Sequence, residues 1–257
     1  MSDEHERRRL ADELERAVRR ADELVRVRDQ FLRLAGHELR SPLTAIELQI
    51  DTLVMAAQQG VGAAGIEERA GRIRRSVHKL GWIVEEVLDL GRAAAGGLTV
   101  RAAEEDLVAV AQRAVDRLAE EVRRSGCELR LLGVGAAEGM WDGPRVEHAL
   151  GSLLLAAMRS GPAALLELEI ETDPDEVCAI VRDQGPGLPA EQAALVFEPF
   201  DQMLAALPAG SPVLGLWLAR SVAEAHGGRL VIEPGRLALH LPKTGRAAPA
   251  LIAVEEP

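Results

Sequence analysis

The sequence contains no tyrosine, and aromatic residues make up only 2% of its 257 residues. An aromatic surface on which nucleic-acid bases stack is therefore not expected. Positive charge is also in deficit, because 30 Lys and Arg stand against 41 Asp and Glu, for a formal net charge of -11. Non-specific binding to DNA or to anionic membranes needs clustered positive charge. We therefore expect no nucleic-acid partner.

Cysteines and long apolar runs are scarce as well. Cys127 and Cys178 are far apart and lie in apolar, strand-like segments, which predicts buried free thiols and a reducing compartment. No apolar run approaches the roughly 20 residues of a membrane span, and the N-terminus is charged rather than signal-like. These features predict a cytoplasmic protein without membrane insertion.

The N-terminal part of the chain shows helical periodicity. Residues 3–30 are highly charged with a near-heptad apolar stripe, which indicates a coiled-coil lead-in. Two further stripes flank a glycine-rich turn at residues 58–65: Leu39, Leu43, Ile46, Ile50, Leu53 and Ala57, and then Ile66, Ala70, Ile73, Val77, Leu80, Val84 and Val87. One hairpin buries too little apolar surface for its length. We therefore predict a homodimer in which two hairpins form a four-helix bundle.

From Leu98 to Pro242 the pattern changes to alternating helices and strands. Helices are predicted over residues 105–125, 144–159 and 213–226, and strands over 127–132, 165–171, 177–182, 230–233 and 237–241. The fold class is therefore α+β overall: a coiled coil and helical hairpin, followed by an α/β sandwich with helices over one mixed sheet.

The string FLRLAGHELRSPLTAI, residues 31–46, holds the strongest candidate for chemistry. An imidazole nitrogen is an unprotonated nucleophile near neutral pH, and an adjacent carboxylate can orient the ring or accept its proton. His37 and Glu38 supply this pair, and the alternative is a surface histidine on a coiled-coil helix. The string resembles the phosphoacceptor box of two-component sensor histidine kinases. The resemblance implies that His37 carries a phosphoryl group and passes it to an aspartate of a response regulator receiver domain.

The family also places a threonine or asparagine four residues after the histidine, where it orients water during dephosphorylation of the regulator. Ser41 stands at that position. The residues alone leave a second interpretation open, in which Ser41 is a helix-surface serine before a proline.

The second half is similar to the ATP-binding domain of histidine kinases, shared with gyrase-type ATPases. VRDQGPGLP resembles the first glycine box. The resemblance implies that Asp183 hydrogen-bonds the adenine amino group, and that Gly185 and Gly187 allow the tight turn that brings the backbone near the nucleotide. FEPF resembles the phenylalanine box, WDGPRVEHAL the opening of the asparagine-box helix with Asp142 and Arg145, and ARSVAEAHGGRL the helix after the second glycine box. The resemblance implies ATP and Mg²⁺ as cofactors.

Two of these boxes depart from the family pattern. Where the asparagine box reads N-L-L-x-N-A, this chain reads SLLLAA, with Ser152 first and Ala156 at the magnesium-asparagine position. A methyl group offers no oxygen ligand to Mg²⁺, although Arg159 keeps a basic group for phosphates.

The second glycine box reads SPVLGL, in which Gly215 and Leu216 match the family pattern. Pro212 lacks a backbone N–H, and Val213 replaces a glycine, so both weaken a phosphate-binding helix start. These departures leave it open whether ATP and Mg²⁺ are used at all.

Three interpretations follow: a histidine kinase with an unusual nucleotide site, an ATP-independent histidine phosphotransferase, or a pseudokinase scaffold that binds a partner kinase or regulator. We favour the first, with ATP use open. The predicted domains are a lead-in at 1–30, a dimerisation and phosphotransfer hairpin at 31–95, an ATPase-like domain at 98–242 and a flexible tail at 243–257. Because little precedes the coiled coil, we expect input from an upstream sensor protein, or the chain is a piece of something longer.

Overall fold

The computed structural model describes residues 2–95, 97–133, 135–159, 165–207 and 211–244. Most side chains before residue 28, together with those of His37 and Glu38, lie outside this description. The predicted tail lies outside it from residue 245 onward, and so does the side-chain pattern of the coiled-coil lead-in. The chain divides into two compact units, Met1–Val87 and Leu88–Pro257.

The first unit is built on two long helices, α1 (Ser2–Gln58) and α2 (Ala63–Ala94), the second of which continues past the unit boundary. They form a hairpin whose inner seam on α1 includes Ala35, Ile46 and Ala56, all buried. Across the hairpin the Ser76 hydroxyl donates to the side-chain oxygen of Gln49 at 3.0 Å. The hairpin predicted from the two stripes and the glycine-rich turn is therefore present.

Part of the predicted apolar stripe of α1 is exposed within one chain. Leu43, Ile50 and Ala57 belong to that stripe, and all three are exposed in the single hairpin. Helical steps of three and four residues create an apolar face wide enough for more than one neighbour, and α2 covers only one side of it. Further apolar side chains of α1 are also exposed in the single chain: Leu48, Val54 and Met55.

The second unit is an α/β sandwich. Its five-stranded sheet has the order β2-β4-β5-β7-β6 and consists of β2 (Glu128–Gly133), β4 (Leu165–Thr172), β5 (Glu176–Asp183), β6 (Arg229–Glu233) and β7 (Arg236–Pro242). The β2 and β4 strands are parallel, and the other neighbours are antiparallel. This is the mixed sheet that the alternating pattern predicts.

One face of the sheet is covered by α3 (Leu107–Ser125), α4 (Gly143–Arg159) and α7 (Val213–Ala225). The strand LLELEIET shows the reason, since Leu166, Leu168 and Ile170 are buried while the intervening glutamates are not. On α7, Leu216, Leu218 and Ala219 are buried. The helices and strands predicted here are confirmed with boundaries shifted by one or two residues.

A two-stranded sheet that the sequence did not predict joins β1 (Ala103–Asp106) to β3 (Glu138–Trp141). The helix expected from residue 105 therefore starts at Leu107. Asp106 sets this start, because its Oδ1 accepts hydrogen bonds from the backbone N–H groups of Val108 at 3.0 Å and Ala137 at 2.9 Å. Two short helices were also not predicted, α5 (Ala190–Leu195) and α6 (Phe200–Ala206).

Among the residues described, no helix combines the length and apolar character that crossing a bilayer requires. Both cysteines are free thiols. Cys178 is buried on β5 as predicted, whereas Cys127 is only half-buried.

Candidate functional site: a phosphoacceptor helix and a nucleotide-type turn

The string that carries His37 lies wholly within α1, so the predicted helix is confirmed for the backbone. Positions 37 and 41 are one helical turn apart and share one side of α1. The side chain of Ser41 is exposed, as are those of Arg40 and Thr44. The side chains of His37 and Glu38 lie outside the described residues. The hydroxyl of Ser41 is thus accessible on the side of the helix where position 37 lies.

The predicted adenine-binding residue, Asp183, is the last residue of β5, at the point where the strand ends in a tight turn. Its Oδ1 accepts a hydrogen bond from the backbone N–H of Gly185 at 2.8 Å. Its own backbone N–H donates to the carbonyl of Gly235 at 3.1 Å. The structure therefore places Asp183 and Gly185 in one tight turn.

Gly187 is where this turn needs a glycine. Its φ is +72°, and a Cβ there would stand 2.7 Å from the backbone nitrogen of Gly235 and 3.1 Å from the Cα of Pro234. Gly235 also has a positive φ, and a Cβ on it would lie 3.0 Å from the Asp183 carbonyl oxygen. Two backbones therefore pack directly against each other beneath Asp183. The sequence predicted a turn at Gly187 but did not predict its partner, Gly235. Nothing in the local sequence of the turn between β6 and β7 indicated that Gly235 contacts the turn after β5.

The α4 helix carries the positions where the family has its two asparagines. Ser152 and Ala156 are both buried, and Arg159, in the last turn, is exposed. Mg²⁺ prefers carboxylate and amide oxygens in near-octahedral geometry. Ala156 offers none, and the described residues hold no cluster of three His, Cys, Asp or Glu side chains suited to a metal. The side chains at these two positions do not fit a magnesium ion held by amide oxygens.

The start of α7 corresponds to the second glycine box. Pro212 precedes the helix and has no N–H to offer, while Val213 is fully buried. The backbone N–H of Val213 donates to the Ser211 hydroxyl at 3.3 Å, and that hydroxyl donates to the Gln192 side-chain oxygen at 3.0 Å. This first amide is thus satisfied within the protein. Gly215 and Leu216 lie in the first turn of α7, and Leu216 is buried.

The FEPF segment lies against α7. The ring of Phe200 is 5.0 Å from that of Trp217, and the Trp217 indole N–H donates to the Glu198 carbonyl at 3.1 Å. The Arg220 guanidinium lies over the exposed ring of Phe197 at 5.7 Å. This box therefore anchors the segment between α5 and α6 to the helix of the second glycine box.

Asp142 and Arg145, which the sequence placed at the opening of α4, are joined at 2.9 Å by Arg145 Nη1 and Asp142 Oδ2. Two further residues that the sequence did not single out complete the group. Asp89, near the end of α2, pairs with Arg145, and His226, after α7, accepts a hydrogen bond from the Asp142 backbone N–H. Burial and the charge of Arg145 lower the pKa of His226, although its bond to the Val222 carbonyl and the charge of Asp142 oppose them. His226 is therefore neutral near pH 7.

Two family regions match this chain in the order in which the sites occur. Residues 27–96 match the His Kinase A (phospho-acceptor) domain, and residues 141–245 match the histidine kinase-, DNA gyrase B- and HSP90-like ATPase family. The fold and sites thus define a phosphoacceptor domain followed by an ATPase-type domain. The chain belongs to the two-component sensor histidine kinase family.

Individual relatives agree with this assignment. The signal transduction histidine-protein kinase/phosphatase MprB of Mycobacterium sp. (strain KMS) is 32% identical over 204 residues, which cover 77% of this chain and 39% of MprB. The alginate biosynthesis sensor protein KinB of Pseudomonas aeruginosa is 28% identical over 219 residues, 82% of this chain and 36% of KinB. The chain therefore spans well under half the length of these curated relatives.

Among solved structures, the Acinetobacter baumannii histidine kinase AdeS superposes with a TM-score of 0.51 at 19% identity, covering 82% of this chain and 98% of that chain. At this level of identity the similarity shows a shared fold.

Proposed function

We propose that this chain is the phosphotransferring part of a histidine kinase, in which His37 takes up a phosphoryl group and passes it to an aspartate of a response regulator. The observation that carries the proposal is the HELRSP string on a hairpin helix, followed in the same chain by an ATPase-type domain whose Asp183 turn is intact. The predicted limits of these parts, residues 31–95 and 98–242, belong to this proposal.

In the first step, a lone pair on an imidazole nitrogen of His37 attacks the phosphorus of the donor. An N–P bond forms, the P–O bond to the leaving group breaks, and Glu38 orients the ring and takes up or holds its proton. In the second step, a carboxylate oxygen of the regulator attacks the same phosphorus. The N–P bond breaks, and the imidazole is restored for the next cycle.

We propose ATP as the donor, because the ATPase-type domain keeps a carboxylate at the end of β5 where an adenine amino group would donate to it. Asp183, Gly185 and Gly187 would hold the base, and Arg159, Gly215 and Leu216 would lie toward the phosphates. No step is assigned to Mg²⁺, because the side chains at positions 152 and 156 do not fit it.

Several partners follow from the same proposal. The exposed apolar side chains of α1 support a homodimer in which a second hairpin covers them, since isolated hairpins rarely leave such a face open. A receiver domain is the recipient, and a sensor, on a partner or on the same polypeptide, supplies the input. We place these reactions in the cytoplasm.

Because MprB is named a kinase/phosphatase, the exposed hydroxyl of Ser41 also supports dephosphorylation of the regulator.

The experiment is incubation of the purified protein with γ-labelled ATP, alongside His37→Ala. Acid-labile, base-stable label that is absent from His37→Ala supports the kinase, and Glu38→Gln should reduce its rate. Label that persists in His37→Ala would disprove the assignment of His37.

A second candidate, ATP-independent phosphotransfer or scaffolding, is favoured by one group of observations: the buried Ala156, and the capped amide and Pro212 before α7. A phosphorylated receiver domain offered to the unlabelled protein separates these possibilities. Phosphoryl transfer from the receiver to His37 with no labelling by ATP would support a phosphotransferase. No label from either donor would support a scaffold.

A further inference from the structure

A chain of buried polar groups joins the end of α2 to one end of α4 and one end of α7. Its first link is a bidentate ion pair: Arg145 donates to Asp89 through Nε at 3.0 Å and through Nη2 at 3.2 Å. Both side chains are shielded, with 14% of Arg145 and 7% of Asp89 exposed. Such a planar fork fixes orientation as well as distance. The last turns of α2 are therefore held to α4 in one geometry.

The same guanidinium makes the second link. Its Nη1 donates to Asp142 Oδ2 at 2.9 Å and also to the carbonyl of Thr99. Asp142 precedes α4 and caps it, since its Oδ1 accepts the Arg145 backbone N–H at 3.4 Å. Asp142 Oδ2 also accepts the Arg101 backbone N–H at 3.0 Å. Arg145 is thus shared between a carboxylate of α2 and the cap of α4.

The third link reaches α7. The backbone N–H of Asp142 donates to His226 Nε2 at 2.9 Å, and His226 Nδ1 donates to the Val222 carbonyl at 2.7 Å. His226 is 1% exposed, so this contact is closed to water. A neutral imidazole with its proton on Nδ1 is the form that makes both bonds.

The opposite ends of the two helices carry the candidate nucleotide residues. Arg159 ends α4, and Gly215 and Leu216 lie in the first turn of α7. The 17 residues of α4 span about 25 Å as a straight helix. A packed helix moves as a rigid element, so a shift at one end reaches the other. The α2 helix continues into the phosphoacceptor hairpin, where α1 carries His37.

We propose that this relay of Asp89, Arg145, Asp142 and His226 couples the last turns of α2 to the nucleotide-facing ends of α4 and α7, so that a displacement of α2 changes nucleotide affinity. The ligand class rests on the function proposed above. The coupling itself does not, because it is a statement about which helices move together.

Hydrogen exchange of the full chain tests the coupling without any phosphoryl transfer. Asp89→Asn keeps the shape of residue 89 but removes its charge, which weakens both bonds from Arg145. We expect amide exchange in α7, from Leu216 to Ala219, to become at least fivefold faster. Arg92→Gln is the matched control. Arg92 is half-exposed and pairs with the same Asp89 at 2.8 Å, but it lies outside the relay. It should change exchange in α7 less than twofold.

A second readout uses ADP alone and calorimetry. If the coupling holds, Asp89→Asn lowers ADP affinity at least fivefold, and by reciprocity ADP slows exchange at residues 88–95 in the unaltered protein. Faster exchange confined to residues 88–101, with α7 unchanged, would mean a local anchor and would overturn the proposal. An equal acceleration in all strands of the sheet would mean general destabilisation and would overturn it too. Failure to label His37 with ATP bears on the proposed function and leaves the exchange result valid.

Discussion

The carboxylate of Asp183 is divided between two roles. One oxygen, Oδ1, accepts the backbone N–H of Gly185 at 2.8 Å and so closes the turn after β5. The other, Oδ2, has no hydrogen-bond partner among the residues that the structure describes. A carboxylate held in place by one oxygen and open at the other is suited to accept an N–H from a planar base.

Asp183→Asn should therefore lower ADP affinity at least about tenfold without unfolding the domain, since a lost charge-assisted bond to a ligand costs about 1.4 kcal/mol or more. The asparagine carbonyl can still accept the Gly185 N–H, but its amide group would face the donor of the base. Calorimetry with ADP measures the loss. The exposed Asp173→Asn, in the turn between β4 and β5, is the control, and equal affinities in both variants would contradict the role of Asp183.

Gly187→Ala should destabilise the domain more than Gly126→Ala, although both glycines have a φ of +72°. A Cβ at Gly126 meets nothing within 4 Å, so that variant measures backbone strain alone, about 1 kcal/mol. At Gly187 the Cβ also meets the backbone of Gly235, and overpacking adds about 1–3 kcal/mol. Urea unfolding measures both. Equal losses would show that the contact with Gly235 relaxes freely.

Ser41→Ala should slow dephosphorylation of a phosphorylated receiver domain while leaving transfer from His37 to the receiver within about twofold. The reason is that a hydroxyl can orient attacking water, whereas phosphoryl transfer from the imidazole needs no such group. Release of labelled phosphate from the receiver is the measurement. Thr44→Ala, at another exposed hydroxyl of α1, is the control. A fall in both rates would instead indicate damage to the helix.

Val54→Glu should dissociate the homodimer with little effect on the helicity of the hairpin. Val54 is exposed in the single chain, so a charge there costs little unless a second copy covers it, in which case burial of the unpaired carboxylate costs several kcal/mol. Sedimentation at micromolar concentration measures the mass. Thr52→Glu places the same charge at an exposed polar position of the same helix. A dimer that survives Val54→Glu would place the interface on another face.

Stability of the α/β unit should fall as the pH is lowered from 6.5 to about 4. Burial and the charge of Arg117 lower the pKa of His148 from 6.5 to about 4. His148 is therefore protonated near pH 6.5 in the unfolded chain but only near pH 4 in the folded chain. The free energy of unfolding is at its full value above pH 6.5 and falls by about 3 kcal/mol across this interval. His226, whose pKa is also lowered, acts in the same direction.

Urea unfolding at pH 7.5 and 4.5 measures the difference. His148→Gln should remove part of the pH dependence, and His78→Gln, at an exposed histidine of α2, is the matched control. The same slope in all three proteins would exclude His148 as a source.

Much of the fold followed from local pattern. The alternation of LLELEIET indicated a half-covered strand, and the turn TDPDE indicated its hairpin with β5, because side chains in a strand alternate faces whatever lies around them. The strands of the β1 and β3 pair, AEED and EGMW, lack this alternation. Their pairing depends on Asp106 and Ala137, which are brought together by the rest of the domain.

In the candidate site, too, some features follow from the local sequence and others depend on tertiary contacts. By itself, the sequence identified the candidate residues from their chemistry: the nucleophilic imidazole of His37, the carboxylate of Asp183 at a glycine turn, and Ala156, whose methyl group offers a metal no ligand. These are properties of side chains and of short spacings. The tertiary structure decided that Gly235 lies beneath Asp183, and that Asp89 and His226 meet through Arg145 and Asp142. Those contacts join positions far apart in the chain, and only the packing of α2, α4 and α7 brings such positions within hydrogen-bonding distance.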